Sequence, residues 1–238
     1  MANKRLPKYI KEIYGDFYNN ETLCKWADKP WLRTFFSFGN NLKLINSALK
    51  EITQADKVLQ LGCTFGLQME QTALRIGRYG QYDVVDVSNI QIARCKAKYG
   101  NLYTQMGYIH QNANEPVLGN YDVVLLYMLL HEVPHVQKAK ILKAALDSVR
   151  EGGKVVVIDY HEPVKWHPLR YFVRMFNRLY QPFAEALWDK EIPIFVKDKS
   201  KYIWRRTLFF GGMYQKVVIS KKYDDQKLKK ESFVPYQP

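Results

Sequence analysis

Between Lys57 and Tyr160, short apolar runs alternate with helical segments, and this alternation constrains the fold more than any other feature of the chain. Lys57–Leu61 is a short apolar strand ending at Gly62. The spacing predicts a helix over 67–78, a strand over 82–87 with Asp86 near its end, and a helix capped by Ser88 and running to Tyr99. Met106–His110 reads as a third strand and 121–128 as a fourth, apolar enough to be covered on both faces. A helix over 136–149 ends at Glu151-Gly152-Gly153, where glycine supplies a left-handed turn, and 154–160 is the fifth strand. Strands alternating with helices form a parallel sheet with helices on both faces. Two later runs, 207–210 and 214–220, flank Gly211-Gly212 and predict an antiparallel hairpin that closes the sheet.

The chain has 238 residues, 47% hydrophobic and 25% charged, which suits one domain with an elaborated cap and excludes general disorder. Residues 1–55 read as a helical segment in which Tyr9, Ile10, Ile13, Tyr14 and Phe17 fall at helical spacing. The sheet domain occupies 56–222, with a helical cap over 161–203 after the fifth strand, and the polar tail 223–238 reads as disordered. Cys24, Cys63 and Cys95 are odd in number and widely spaced, so a disulfide scaffold or CxxC zinc site is excluded and a reducing compartment is expected. No apolar run reaches the roughly 18 residues of a membrane span. Residues 1–20 lack the apolar stretch of a secretory signal.

Net charge is +13, unevenly placed. Residues 1–55 carry net +4, 56–162 are neutral, and 163–222 hold 13 basic against 4 acidic groups. This last segment interleaves Trp166, Tyr171, Phe172, Phe176 and Tyr180 with Arg170, Arg174 and Arg178, the composition of an interfacial helix. The same pattern also suits a cap helix with its arginines in water. RNA is the rival anionic partner, but the neutral middle gives no extended track and no RNA-binding signature is present, so nucleic acid is not expected.

The stretch from Val58 through Leu61, Gly62, Cys63, Thr64 and Phe65 to Gly66 places two glycines where a strand becomes a helix. Glycine there lets a ligand approach the backbone, and a helix N-terminus offers unpaired N–H groups. Asp86 stands 20 residues beyond Gly66, where a carboxylate can hold ribose hydroxyls. The unit resembles the first motif of class I S-adenosylmethionine-dependent methyltransferases, with Asp86 matching their acidic ribose ligand. Tyr121-Asp122-Val123-Val124 resembles their fourth strand, Gly152-Gly153-Lys154 the turn before their fifth, and the hairpin their reversed last strand. The resemblance implies a Rossmann-like α/β fold with a seven-stranded, mostly parallel sheet. Two departures stand out: Gln60 where the family has Asp or Glu, and Thr64 and Phe65 within its Gly-x-Gly-x-Gly. The expected cofactor-binding residues are Gln60, Gly62, Gly66, Asp86, Val87, Asn112 and Ala113.

A closer resemblance runs from about residue 57 to 218. Val85-Asp86-Val87-Ser88-Asn89-Ile90-Gln91, Leu130-His131-Glu132-Val133-Pro134 and Asp159-Tyr160-His161-Glu162-Pro163 are similar to segments of the rhodoquinone biosynthesis proteins. So are His167-Pro168-Leu169-Arg170, Pro182-Phe183-Ala184 and Gly211-Gly212-Met213-Tyr214-Gln215-Lys216. These proteins are a divergent branch of the same methyltransferases. The resemblance implies that a methoxy group of ubiquinone is replaced by an amino group, with S-adenosylmethionine as nitrogen donor and Mn²⁺ assisting. It also implies work at a membrane surface, on a bacterial cytoplasmic face or a mitochondrial matrix face, with 163–206 meeting anionic lipid.

Four of the five histidines lie within 37 residues. Asp159, His161, His131 and Glu132 are the expected Mn²⁺ ligands, since carboxylate oxygens with imidazoles suit that ion. Tyr121, Asp122, His131 and Tyr160 are the candidate catalytic residues, with Tyr127 a further hydroxyl near a strand end. Cys63 beside Gly62 reads as a small buried residue before a nucleophile. His131-Glu132-Val133-Pro134-His135 also spells the zinc-protease pattern H-E-x-x-H, but that mechanism needs both histidines on one continuous helix, which Pro134 interrupts. Two alternatives remain beside the rhodoquinone reading. One is an orthodox C- or O-methyltransferase on a lipophilic quinol; the other is a non-catalytic RNA or membrane adaptor of the same fold.

Overall fold

The computed structural model describes residues 7–13, 15 and 20–222. Tyr14, Phe17 and the tail 223–238 lie outside the described residues. Among the described residues the first helices are α1 (Lys8–Ile13), α2 (Glu21–Ala27), α3 (Pro30–Phe36) and α4 (Asn41–Leu49). Then follow β1 (Lys57–Leu61), α5 (Gln68–Ile76), β2 (Gln81–Asp86), α6 (Asn89–Tyr99), β3 (Met106–His110) and β4 (Tyr121–Tyr127). The chain continues through α7 (His135–Ser148), β5 (Val149–Tyr160), α8 (Arg170–Tyr180) and α9 (Ala186–Asp189) to the hairpin β6 (Tyr202–Phe209) and β7 (Tyr214–Lys221).

The seven strands are ordered β3-β2-β1-β4-β5-β7-β6. The first five pair in parallel, and β7 enters antiparallel between β5 and β6. This confirms the α/β class and the seven-stranded, mostly parallel sheet. Reversal of order beside β1 and β4 leaves a crevice at their C-terminal ends, where open α/β sheets bind ligands. Strand β4 lies at the centre and faces both layers. Val123, Leu125 and Tyr127 pack with α4, α5 and α6, while Val124 and Leu126 pack with α7.

Two boundaries differ from the sequence expectation. Strand β5 begins directly after α7 at Val149, and Gly152 (φ +76°) sits inside it at a shift of register against β4. The glycine pair therefore makes a bulge within the strand and not a turn ahead of it. Strand β6 begins at Tyr202, five residues early, because an edge strand tolerates the exposed Arg205 and Arg206 that conceal its pattern.

Glu51, just beyond α4, fastens the N-terminal segment to the sheet. It pairs with Lys216 at 2.8 Å and Lys154 at 3.1 Å. Burial works against its charge, but the two lysines outweigh burial and hold its carboxyl below the ordinary value. Its contribution to stability is present above the unfolded carboxyl pKa and is lost as pH falls through the lower folded one. Glu51→Gln should cost about 2 kcal/mol in urea unfolding at neutral pH, with the gap to wild type closing in acid.

Candidate active site

A cavity of about 560 Å³ opens at the C-terminal ends of β1, β2 and β4, within the range of small-molecule sites. Its polar end is the loop after β1. Gly62 turns there at φ +89°, and a Cβ on it would lie 3.2 Å from Leu129 Cδ1. Asp86 ends β2 and accepts hydrogen bonds from Cys63 N and Ser88 N, each at 2.8 Å. Both carboxylate oxygens are thus oriented, and each keeps a lone pair for a ligand hydroxyl. Burial raises the Asp86 pKa, opposed by those two N–H groups. Val87, Asn112 and Ala113 line the same end.

Gln60 and Gly66 do not reach the cavity. Gln60 is fully buried behind the loop, where its amide pairs with that of Gln68 through two bonds of 3.0 Å and accepts the Tyr82 hydroxyl. Its amide also donates to Gly62 O at 3.1 Å, so it braces the turn from behind. Gly66 (φ +84°) donates its N–H to Asp28 Oδ1 at 2.8 Å. Asp28 also pairs with Lys98, and Arg94 donates to Thr64 O. Phe65 lies between the guanidinium groups of Arg33 and Arg94, 5.2 and 4.3 Å from its ring centre. The departures from a glycine-rich loop are therefore filled by the chain itself, with helices α2 and α6 clamping the loop from outside.

Beside this polar end, the hydrogen bonds gather on His131. A 3₁₀ turn (Leu130–Glu132) after β4 carries it, and it is buried. Its Nδ1 lies 2.8 Å from Asp159 Oδ1, and its ring packs 4.7 Å from that of Tyr160. With the Nδ1 proton donated to the carboxylate, Nε2 is the atom left to receive a proton from a bound molecule. Burial disfavours the imidazolium, but Asp159 by charge and hydrogen bond, with Glu132, outweighs burial and raises the His131 pKa above its ordinary value. Both His131 and Glu132 line the cavity, as does Tyr160. The turn is held in place by Lys138, fully buried on α7, whose ammonium donates to Val133 O and to Phe183 O in the cap.

The expected Mn²⁺ ligands do not assemble. Asp159 is fully buried and spends both oxygens on Leu130 N, His131 N, His131 Nδ1 and Tyr160 N. His161 turns its Nδ1 to the carbonyls of Glu162 and Gly212. Among the described residues, no group of three or more His, Cys, Asp or Glu is placed to hold a metal ion. Asp159 is a partner of His131, and these residues do not fit the ion.

Tyr121 and Asp122 are likewise corrected. They begin β4, about 20 Å along the strand from the cavity end. Tyr121 donates to Asp83 Oδ2 at 2.7 Å, and Asp122 accepts from Lys57 N at 2.7 Å and pairs with Arg150. The H-E-x-x-H pattern is split as expected: His131 is in the turn, Pro134 caps α7, and His135 begins it. The far wall of the cavity comes from α8 through Phe172 and Phe176, on the cap whose apolar face sequence reading took for the entry of a lipophilic tail, and from Phe35 and Phe36 on α3, Asn177 on α8 and Gln181 just beyond it, which that reading missed.

Residues 58–153 match the model of a family described as a methyltransferase domain. No curated protein matches the sequence. Among solved structures, a SAM dependent methyltransferase from Aquifex aeolicus is similar with a TM-score of 0.59 at 16% identity, over 84% of this chain and 97% of that one. The N-methyltransferase NodS from Bradyrhizobium japonicum WM9, in complex with S-adenosyl-L-homocysteine, gives 0.57 at 11% identity, over 91% and 100%. An O-methyltransferase family protein from Burkholderia thailandensis gives 0.65 at 15% identity, over 89% and 64%. Together with the strand order, these likenesses establish the class I methyltransferase fold for this chain.

Proposed function

We propose that the chain is an S-adenosylmethionine-using transferase whose acceptor is the ring of a lipophilic quinone, and that it exchanges a methoxy group for an amino group. The observation that carries the reading is the shared cavity: Gly62 and the oriented Asp86 at one end, the His131–Asp159 pair beside them, and an apolar wall from α3 and α8 opposite. S-adenosylmethionine supplies the transferred group when bound. Asp86 holds its ribose hydroxyls, and Gly62 admits it against the backbone. Exchange at a ring carbon forms a C–N bond as the C–O bond breaks, with a proton passing from the attacking nitrogen to the departing methoxide. His131 Nε2 can take and then deliver that proton, with Asp159 stabilising the charged imidazole between the steps. The donor's N–Cα bond is then cleaved by water after the quinone ring takes up the two electrons of the Cα–H bond, which leaves a 2-oxo acid and the amino-substituted quinol. The resemblance in the segments around His131, Asp159 and Gly211 favours this exchange. Methylation of a quinol hydroxyl is the second reading, favoured by the same base, which would take the hydroxyl proton. Incubating the protein with S-adenosylmethionine and a two-isoprene ubiquinone, and in parallel with its chemically reduced quinol, then weighing the extracted products, tests both. A product dependent on S-adenosylmethionine supports the reading, and an unchanged quinone refutes it.

The partner that brings such a substrate is an anionic membrane surface. Trp31, Phe35, Tyr171, Phe172 and Leu179 are 53–80% exposed on the two helices that line the cavity, Phe35 and Phe172 at its rim. Large exposed apolar patches rimmed by charge mark interaction sites, and the segment 163–222 carries net +9. Among the described residues no helix is long and apolar enough to cross a membrane. The protein should co-sediment with vesicles of anionic phospholipid at low salt and be released by salt. The double variant Phe35→Ser, Phe172→Ser should remain in the supernatant, and equal sedimentation of wild type and variant would refute the surface.

A further inference from the structure

The apolar wall of the cavity carries two amide side chains with unanswered groups. Asn177, on the inner face of α8, is 1% exposed, and its Nδ2 has no hydrogen-bond partner. Gln181, one turn later, presents an Oε1 that is buried and likewise unpaired. Its side chain lies beside the Tyr160 hydroxyl. Both residues line the cavity together with Phe176 and Tyr180, whose rings pack 5.0 Å apart. Buried polar groups are nearly always paired, and α8 has exposed positions on which an amide would meet water. A donor and an acceptor left open one helical turn apart in an apolar wall point to a ligand that answers both. Tyr160 lies between this pair and the base, its hydroxyl beside Gln181 and its ring packed on His131.

We propose that Asn177 and Gln181 form a two-point clamp for the acceptor ring. Asn177 Nδ2 donates to a ring carbonyl oxygen, and Gln181 Oε1 accepts an N–H hydrogen from the nitrogen that replaces the neighbouring methoxy group. This deepens the quinone reading above and rests on it. A site built to hydrogen-bond its ligand rejects the analogue that lacks the group, because its own buried amide is then left unpaired. The clamp would therefore select rings bearing a carbonyl over equally apolar rings without one. It would also hold the reacting substituent within one aromatic ring of His131.

The test compares two probes in the presence of S-adenosylhomocysteine, read by quenching of tryptophan fluorescence. One is a two-isoprene ubiquinone; the other has the same tail and methoxy groups on a benzene ring lacking both carbonyl oxygens. Wild type should prefer the quinone. Asn177→Leu should weaken quinone binding about tenfold to a hundredfold and leave the carbonyl-free probe unchanged. Asn177→Asp, nearly isosteric, should lose as much, and retained S-adenosylhomocysteine affinity in both variants reports an intact fold. Gln181→Met should abolish the preference for the amino-substituted quinone over its dimethoxy parent. The clamp is overturned if the Asn177 variants bind quinone as wild type does, or lose both probes equally while still binding S-adenosylhomocysteine. Retention of the amino preference by Gln181→Met overturns its half. Wild type that binds both probes equally overturns the clamp and leaves the quinone reading standing. Wild type that binds neither overturns the quinone reading, and the clamp with it.

Discussion

Replacement of His131 by alanine should lower turnover by about a hundredfold to ten-thousandfold, the range of a lost general acid–base, while S-adenosylhomocysteine still binds. The residue stands on a short turn after the central strand, and Asp159 holds it through Nδ1 at 2.8 Å. Its task as a base requires the neutral ring. Because Asp159 and Glu132 raise its pKa despite burial, the rate should climb with pH and reach half its plateau above the ordinary histidine value. Asp159→Asn removes the charge that raises the pKa, so the midpoint should move down while the plateau falls. A pH–rate profile separates this from simple loss of fold, which would lower the rate at every pH without moving the midpoint.

Asp86→Asn should weaken S-adenosylhomocysteine binding about a hundredfold, as expected when charge-assisted hydrogen bonds are lost from a buried site. The native carboxylate accepts Cys63 N and Ser88 N, one on each oxygen. An amide in its place sets an NH₂ against one of those backbone donors and offers a ribose hydroxyl only one good acceptor. Calorimetric titration with S-adenosylhomocysteine reads the loss directly. Gln60→Glu provides the contrast. Gln60 lies in the amide network behind the loop, so a new carboxylate there would face Gln68 and Tyr82 and not the cavity. Its effect should fall on stability before affinity.

The order of elements was legible because short continuous apolar runs and helical patterns alternate over 100 residues, and β4 is apolar enough to be read as covered on both faces. Gly62, Asp86 and His131 were legible because strand ends point to one crevice. What failed was direction and partnership. Tyr121 and Asp122 were read as near a strand end without regard to which end, and they stand at the wrong one. Asp159 and His161 share a strand terminus, but two residues apart along a strand brings side chains to one face without aiming them at one ion. Asp159 turns to the backbone of the His131 turn, whose N–H groups no sequence pattern advertises. Gln60 and Gln68 answer one another across a strand and a helix, which the spacing alone does not reveal. Asn177 sat in a helix read as aromatic and basic, where one small amide on the buried face drew no notice.

One measurement addresses the central claim most directly. S-adenosylmethionine labelled separately in its amino nitrogen and its methyl carbon is incubated with the protein and a two-isoprene ubiquinone, and in parallel with its reduced quinol, and the products are analysed by mass spectrometry. The account predicts that the nitrogen label enters the ring as one methoxy group departs, that the methyl label stays out, and that His131→Ala abolishes the transfer. A quinone carrying the methyl label and no new nitrogen would contradict it.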